Sequence, residues 1–181
     1  MSIRNRLRVS DRAQASLVRV LQAVMVGILL AGLYLGNPGI AVNAVVGLLV
    51  TLLPAVLERR YHFTMDVALV LWITVAMFLH ALGTLPLPGL DFLSPYKAVW
   101  WWDHMTHALS SSLVAGSAYA VTRALQEHTD YIYMGPKFTF AYLLVFVMAF
   151  GVIWELVEFY IAVTAQLLGI QRILTQYDLD D

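Results

Sequence analysis

An all-α, polytopic transmembrane helix bundle of about five spans, with its N-terminus in the cytoplasm, is the fold class that three observations predict. Of the 181 residues, 60% are hydrophobic and only 13% are charged, where a soluble domain carries roughly a quarter charged residues. The apolar residues gather into five stretches, 17–36, 39–57, 65–83, 104–123 and 138–161, each close to the ~20 residues a helix needs to cross a bilayer core. The basic residues fall unevenly between the ends of those stretches, which sets the orientation.

The elements follow in order. Residues 1–16 form a basic cytoplasmic segment holding Arg4, Arg6, Arg8 and Arg12. The apolar run after it is too long for a secretory signal, whose core is about 7–15 residues, so it reads as an uncleaved first span. Asn37-Pro38-Gly39 is the turn into the second span, because proline fixes φ and glycine permits a reversal. Pro54 lies within that second span and predicts a kink, the freed carbonyl being satisfied by neighbouring helices. Glu58, Arg59, Arg60 and His62 form a cytoplasmic loop, and Asp66 opens the third span as a partner for its dipole. The connection 84–103 and the polar, acidic tail 162–181 fall outside. The bundle proper is 17–161, a single domain.

With the N-terminus inside, Arg4, Arg6, Arg8, Arg12, Arg19, Arg59, Arg60, Arg123 and Lys137 are cytoplasmic, and only Lys97 and Arg172 lie outside. Trp100, Trp101 and Trp102 then stand where indole rings prefer to be, at the outer interface. The lipid bilayer is the surrounding partner, in the cell membrane. A net charge of −1 with no basic patch beyond the N-terminus excludes nucleic acid as a partner. The absence of cysteine excludes disulfides, thiolate metal sites and cysteine nucleophiles.

The ionisable residues converge on one layer. His80 lies about one turn from the outer end of the third span, Asp103, His104 and His107 open the fourth, and Glu155 and Glu158 lie in the last turns of the fifth. Asp103 and His107 are spaced i,i+4, and His104 and His107 i,i+3, so the three share a face, as do Glu155 and Glu158. Ala108, Ser112, Gly116 and Ala120 recur every four residues, a stripe that permits close helix approach in lipid and predicts that the neighbouring polar face turns inward. Taken alone, Asp103 reads as a helix start and His80 as a hydrogen-bonded core histidine. The two glutamates in an apolar helix lack such a structural use. Carboxylates and imidazoles gathered in one layer suit a divalent ion, zinc, manganese or iron.

The order Leu79-His80-x-x-Gly83, Asp103-x-x-x-His107, Trp154-Glu155-x-x-Glu158 and a Thr/Gln/Asp-containing tail resembles the uncharacterised YjdF-like integral membrane proteins and, more distantly, the VanZ-like group. The resemblance covers roughly 65–181. It implies a polytopic membrane protein with a polar outer cluster and no established reaction. Its pattern usually runs on into another hydrophobic segment, where this sequence ends at Asp181.

The resulting expectation is a metal-binding or acid/base site on the outer-leaflet side, with metal-assisted hydrolysis of a lipid-like or envelope substrate as the reaction. His80, His104, His107 and Glu155 are the expected ligands, with Glu158 or Asp103 as general base or orienting carboxylate. The rival readings are a small proton-coupled transporter and a non-catalytic assembly subunit. A transport path should continue inward, and the inner halves of the later spans offer only Tyr119, Thr122 and Tyr142.

Overall fold

A computed structural model describes residues 10–61, 65–128 and 134–167 of the chain. Arg4, Arg6, Arg8, His62 and the tail 168–181 lie outside the described residues. Every regular element among the described residues is helical: α1 (Asp11–Tyr34), α2 (Pro38–Tyr61), α3 (Val67–Gly83), a 3-10 turn (Pro88–Leu90), α4 (Pro95–Ala98), α5 (Trp102–His128) and α6 (Pro136–Leu167). The chain divides into two units, 1–106 and 107–181.

In the first unit α1, α2 and α3 pack against one another. Their ends are set by side chains that satisfy the amides a helix start leaves open. Ser10 accepts from the Ala13 amide, and Asp66 accepts from the Ala68 amide at 2.8 Å, so α1 begins ahead of its apolar run and α3 begins where the sequence places it. The α1–α2 turn differs from expectation in its working residues. Gly36 adopts the left-handed conformation at φ 60°, and Asn37 caps α2 through Oδ1, which accepts from the Gly39 and Ile40 amides. Pro38 takes the first helical position, where its missing N–H costs nothing, and Gly39 is helical. Helix α2 continues through Pro54, which is buried.

Met25, Ile28, Ile40, Ala44 and Ala81 form the core of this unit, with Leu48, Met77 and Phe78 packed around it. Small residues set the spacing. A Cβ on Gly32 would stand 2.8 Å from the Ala41 amide nitrogen, so α1 and α2 touch there backbone to backbone. Two helices below lipid headgroups gain little from apolar burial alone, and close packing and interhelical hydrogen bonds hold them instead. Gln22 supplies one such bond, donating from Nε2 to the carbonyl and hydroxyl oxygens of buried Thr51.

In the second unit α5 and α6 are tied at their junction by Gln126, which donates to the Met134 carbonyl at 3.0 Å. The predicted small-residue stripe is not the packed one here. Ala118 and Thr122 are buried, whereas Ala108, Gly116 and Ala120 are exposed, and a Cβ on Gly116 would meet nothing. Leu113, Ser117, Ala118, Tyr142 and Phe146 line an open apolar groove between the two helices.

Among the described residues three helices are each long and apolar enough to cross a membrane: α1, α2 and α6 over Pro136–Leu156. A fourth candidate is α3 together with Pro88–Ala98, bent by 61°. Length and composition alone thus give three to four candidate spans among the described residues. Helix α5 is long enough at 27 residues, but Asp103, His104, His107 and three consecutive serines dilute its apolar character.

Candidate functional site

The polar groups that meet in the first unit lie where α3 ends, α4 crosses and α5 begins. His80 sits in the last turn of α3. Tyr96 is carried by α4, whose Pro95 is buried and fixes the first helical position. The Tyr96 hydroxyl lies 2.7 Å from His80 Nδ1 and 3.4 Å from the hydroxyl of Thr106. Thr106 is fully buried and donates to the Asp103 carbonyl at 2.8 Å. A continuous chain thus runs from imidazole to phenol to threonine to a backbone carbonyl.

Thr106 gives its hydroxyl proton to the Asp103 carbonyl, which leaves its oxygen able to accept from Tyr96. The Tyr96–His80 contact runs in either direction, according to which ring nitrogen carries the proton.

Gly83 makes the convergence sterically feasible. A Cβ there would run into the Tyr96 ring and stand 2.7 Å from Trp102 Nε1. Trp102 fills the remaining space and donates its indole N–H to the Leu79 carbonyl at 3.4 Å, serving a carbonyl in the closing turn of α3. The Leu79-His80-x-x-Gly83 spacing therefore places the imidazole and the gap for its partner one turn apart.

The sequence-predicted residues are distributed as follows. His80 is in the chain just described. Asp103 and His104 are exposed in the opening turn of α5, and the His104 ring lies edge-on to Trp100 at 6.5 Å. The expected inward face is corrected here: within the first unit the packed face of α5 is Trp102 and Thr106, an i,i+4 pair, and Asp103 and His104 point away from it. His107 is half-buried in α5, and Glu155 is exposed in α6; both belong to the second unit. Glu158 is helical, and its side chain lies outside the described residues. Among the described residues no group of three or more His, Asp or Glu side chains comes together in a way that could hold a metal ion.

Tyr96, Thr106 and Trp102 are the members that sequence reasoning missed as site residues. Their signal was present in proline at 95 with an aromatic directly after it, and in a threonine one turn beyond a helix-opening aspartate.

Helices of this length around a close-packed apolar core, with a hydrogen-bonded polar chain at one end, define a multi-pass helical membrane protein. The chain belongs to the DUF2238 family of predicted membrane proteins, whose model matches residues 17–181 and so takes in the first two spans as well as the later motifs. No curated protein and no solved structure matches it.

Proposed function

We propose that this protein carries an acid/base site at the outer-leaflet end of a five-span bundle and hydrolyses a lipid-like substrate there. The observation that carries the reading is the 2.7 Å contact between His80 Nδ1 and the Tyr96 hydroxyl. Imidazole is the side chain whose ordinary titration brackets neutral pH, and the contact with Tyr96 holds the ring in place. In hydrolysis the imidazole takes a proton from water as the water oxygen adds to an ester carbon or phosphorus, then returns it to the departing alkoxide. Tyr96 positions the ring, and Thr106 and the Asp103 carbonyl hold Tyr96.

Metal-assisted hydrolysis with zinc, manganese or iron is the weaker arm, because it requires His107, Glu155 and Glu158 to join His80 and His104. The short motifs around His80 and Glu155 support the finer likeness to YjdF-like and VanZ-like proteins.

Two measurements test the proposal. In the first, wild type in lipid nanodiscs is incubated with bacterial lipid extract and lipid loss is followed by mass spectrometry. His80→Gln should reduce turnover about 10²–10⁴-fold, the usual contribution of general acid/base catalysis, and Tyr96→Phe should reduce it less. Undiminished turnover in both variants would remove the site, and bound metal lost in His107→Ala would favour the metal arm.

The second concerns the span count. The chain has no cysteine, and Gly89 and Gly135 both face open space, so single cysteines there report cleanly. With five spans and the N-terminus inside, an impermeant maleimide labels Gly89→Cys in intact cells and Gly135→Cys only after permeabilisation. Labelling of both from the same side would mean that α5 does not cross.

A further inference from the structure

We infer that residues 85–101 are seated in the lipid–water interface of the bilayer, with Phe92 and Trp100 inserted among the headgroups, instead of standing in water as a connecting loop. Helix α3 leads to this conclusion. Its 17 residues span about 25 Å at ~1.5 Å per residue, short of the ~30 Å hydrocarbon core. The chain leaves α3 at Gly83 and turns by 61° into Pro88–Ala98, so a helix that starts at the opposite face makes its turn within about 5 Å of the headgroup edge of the core.

The segment is built for that depth. Trp100 is 84% exposed and Phe92 72% exposed, with Leu93 and Trp101 exposed beside them, and aromatic side chains with one apolar and one polar edge favour the interface. Phe92 reaches this position in a left-handed conformation, φ 61°, directly after Asp91 at φ 52°. A bulky residue rarely adopts that region, and here it carries a ring that stays largely exposed while nearby Pro95 is buried. Lys97 is exposed on the same short helix, its side chain directed to solvent at the end of that helix.

The backbone is prepared for partial dehydration, which lipid-facing irregular chain must satisfy internally. Leu87 donates to Leu93 and accepts from Leu90 and Phe92, while Leu93 donates to Leu90. Lys97 and Ala98 donate to Ser94, and Val99 to Pro95. Pro86, Pro88 and Pro95 have no amide proton to leave unpaired. A loop destined for water has no need of this closure. The inference stands independently of any reaction at His80.

Nitroxide labels on Phe92→Cys and Trp100→Cys, in nanodiscs of phosphatidylcholine, test it against a reference label on Glu127→Cys. The first two should collide more often with dissolved oxygen than with an aqueous nickel chelate, and the reference should show the opposite order. Labels at 92 and 100 that behave as the reference does would overturn the inference, as would dipolar broadening showing that a second copy covers them. Should either cysteine variant misfold, the conservative Trp100→Phe gives the same information. Quenching of tryptophan emission by lipid brominated near the headgroup should fall relative to wild type, and unchanged quenching would overturn the inference.

Discussion

Gly83→Ala is expected to damage both the fold and the polar chain, although it adds a single methyl group. The new Cβ would run into the Tyr96 ring, stand 2.8 Å from its Cδ2 and 2.7 Å from Trp102 Nε1. Neither ring can yield freely, since Tyr96 is held by His80 and Thr106 and Trp102 by the Leu79 carbonyl. Overpacking of this kind costs typically ~1–3 kcal/mol, read as a lower unfolding temperature in detergent. It also moves the phenol off Nδ1, so the imidazole nitrogen resonances of His80 should report a changed tautomer balance. Tyr96→Ala in the same background removes one of the two obstructions, and contacting residues couple non-additively. Gly83→Ala should therefore cost less beside Tyr96→Ala than alone, with a remainder due to Trp102. Equal costs in both backgrounds would mean that Tyr96 is not what the methyl group meets.

The helices were legible because a bilayer imposes a length on apolar runs, and five such runs correspond to α1, α2, α3, α5 and α6. Their ends were less legible, since a cap is a local side-chain choice: Ser10 draws α1 back to Asp11, and Asn37 moves the reversal from Gly39 to Gly36. Crossing is least legible at α5. A run containing one aspartate, two histidines and three serines can be helical without meeting the apolarity that crossing requires.

The candidate site was read halfway. His80 stood out because an ionisable group in an apolar helix is costly, and that cost is visible in sequence. Its partner was invisible, because Tyr96 is sixteen residues away in a proline-rich stretch that reads as a loop, and a tyrosine near a membrane edge already has an ordinary explanation. In Trp102-Asp103-His104-Met105-Thr106-His107 attention went to the charges, yet the packed face is Trp102 and Thr106. A helix face is chosen by what it can bury. An indole and a hydroxyl that can bond to nearby groups bury more readily than a carboxylate.

A second glycine pair isolates the contribution of close helix approach in the first unit. Gly32→Ala places a methyl carbon 2.8 Å from the Ala41 nitrogen and 2.9 Å from Ile40 Cγ2, and the first of these is backbone, which no rotamer change can move. The turn leaves little slack, because the Asn37 amide donates to the Gly32 carbonyl at 2.9 Å and Gly36 holds its left-handed conformation. Helices α1 and α2 must separate, and Met25, Ile28 and Ile40 lose contact together, so the cost should reach or exceed the ~1–3 kcal/mol of ordinary overpacking. Gly27→Ala, on the same helix, meets nothing within 4 Å. There the methyl group only restricts the unfolded backbone and favours the helix, a gain of about 1 kcal/mol at most. Thermal unfolding of the two variants in one detergent should therefore shift in opposite directions. If Gly32→Ala unfolds no earlier than wild type, α1 and α2 are not in backbone contact, and the core built on that contact is wrong.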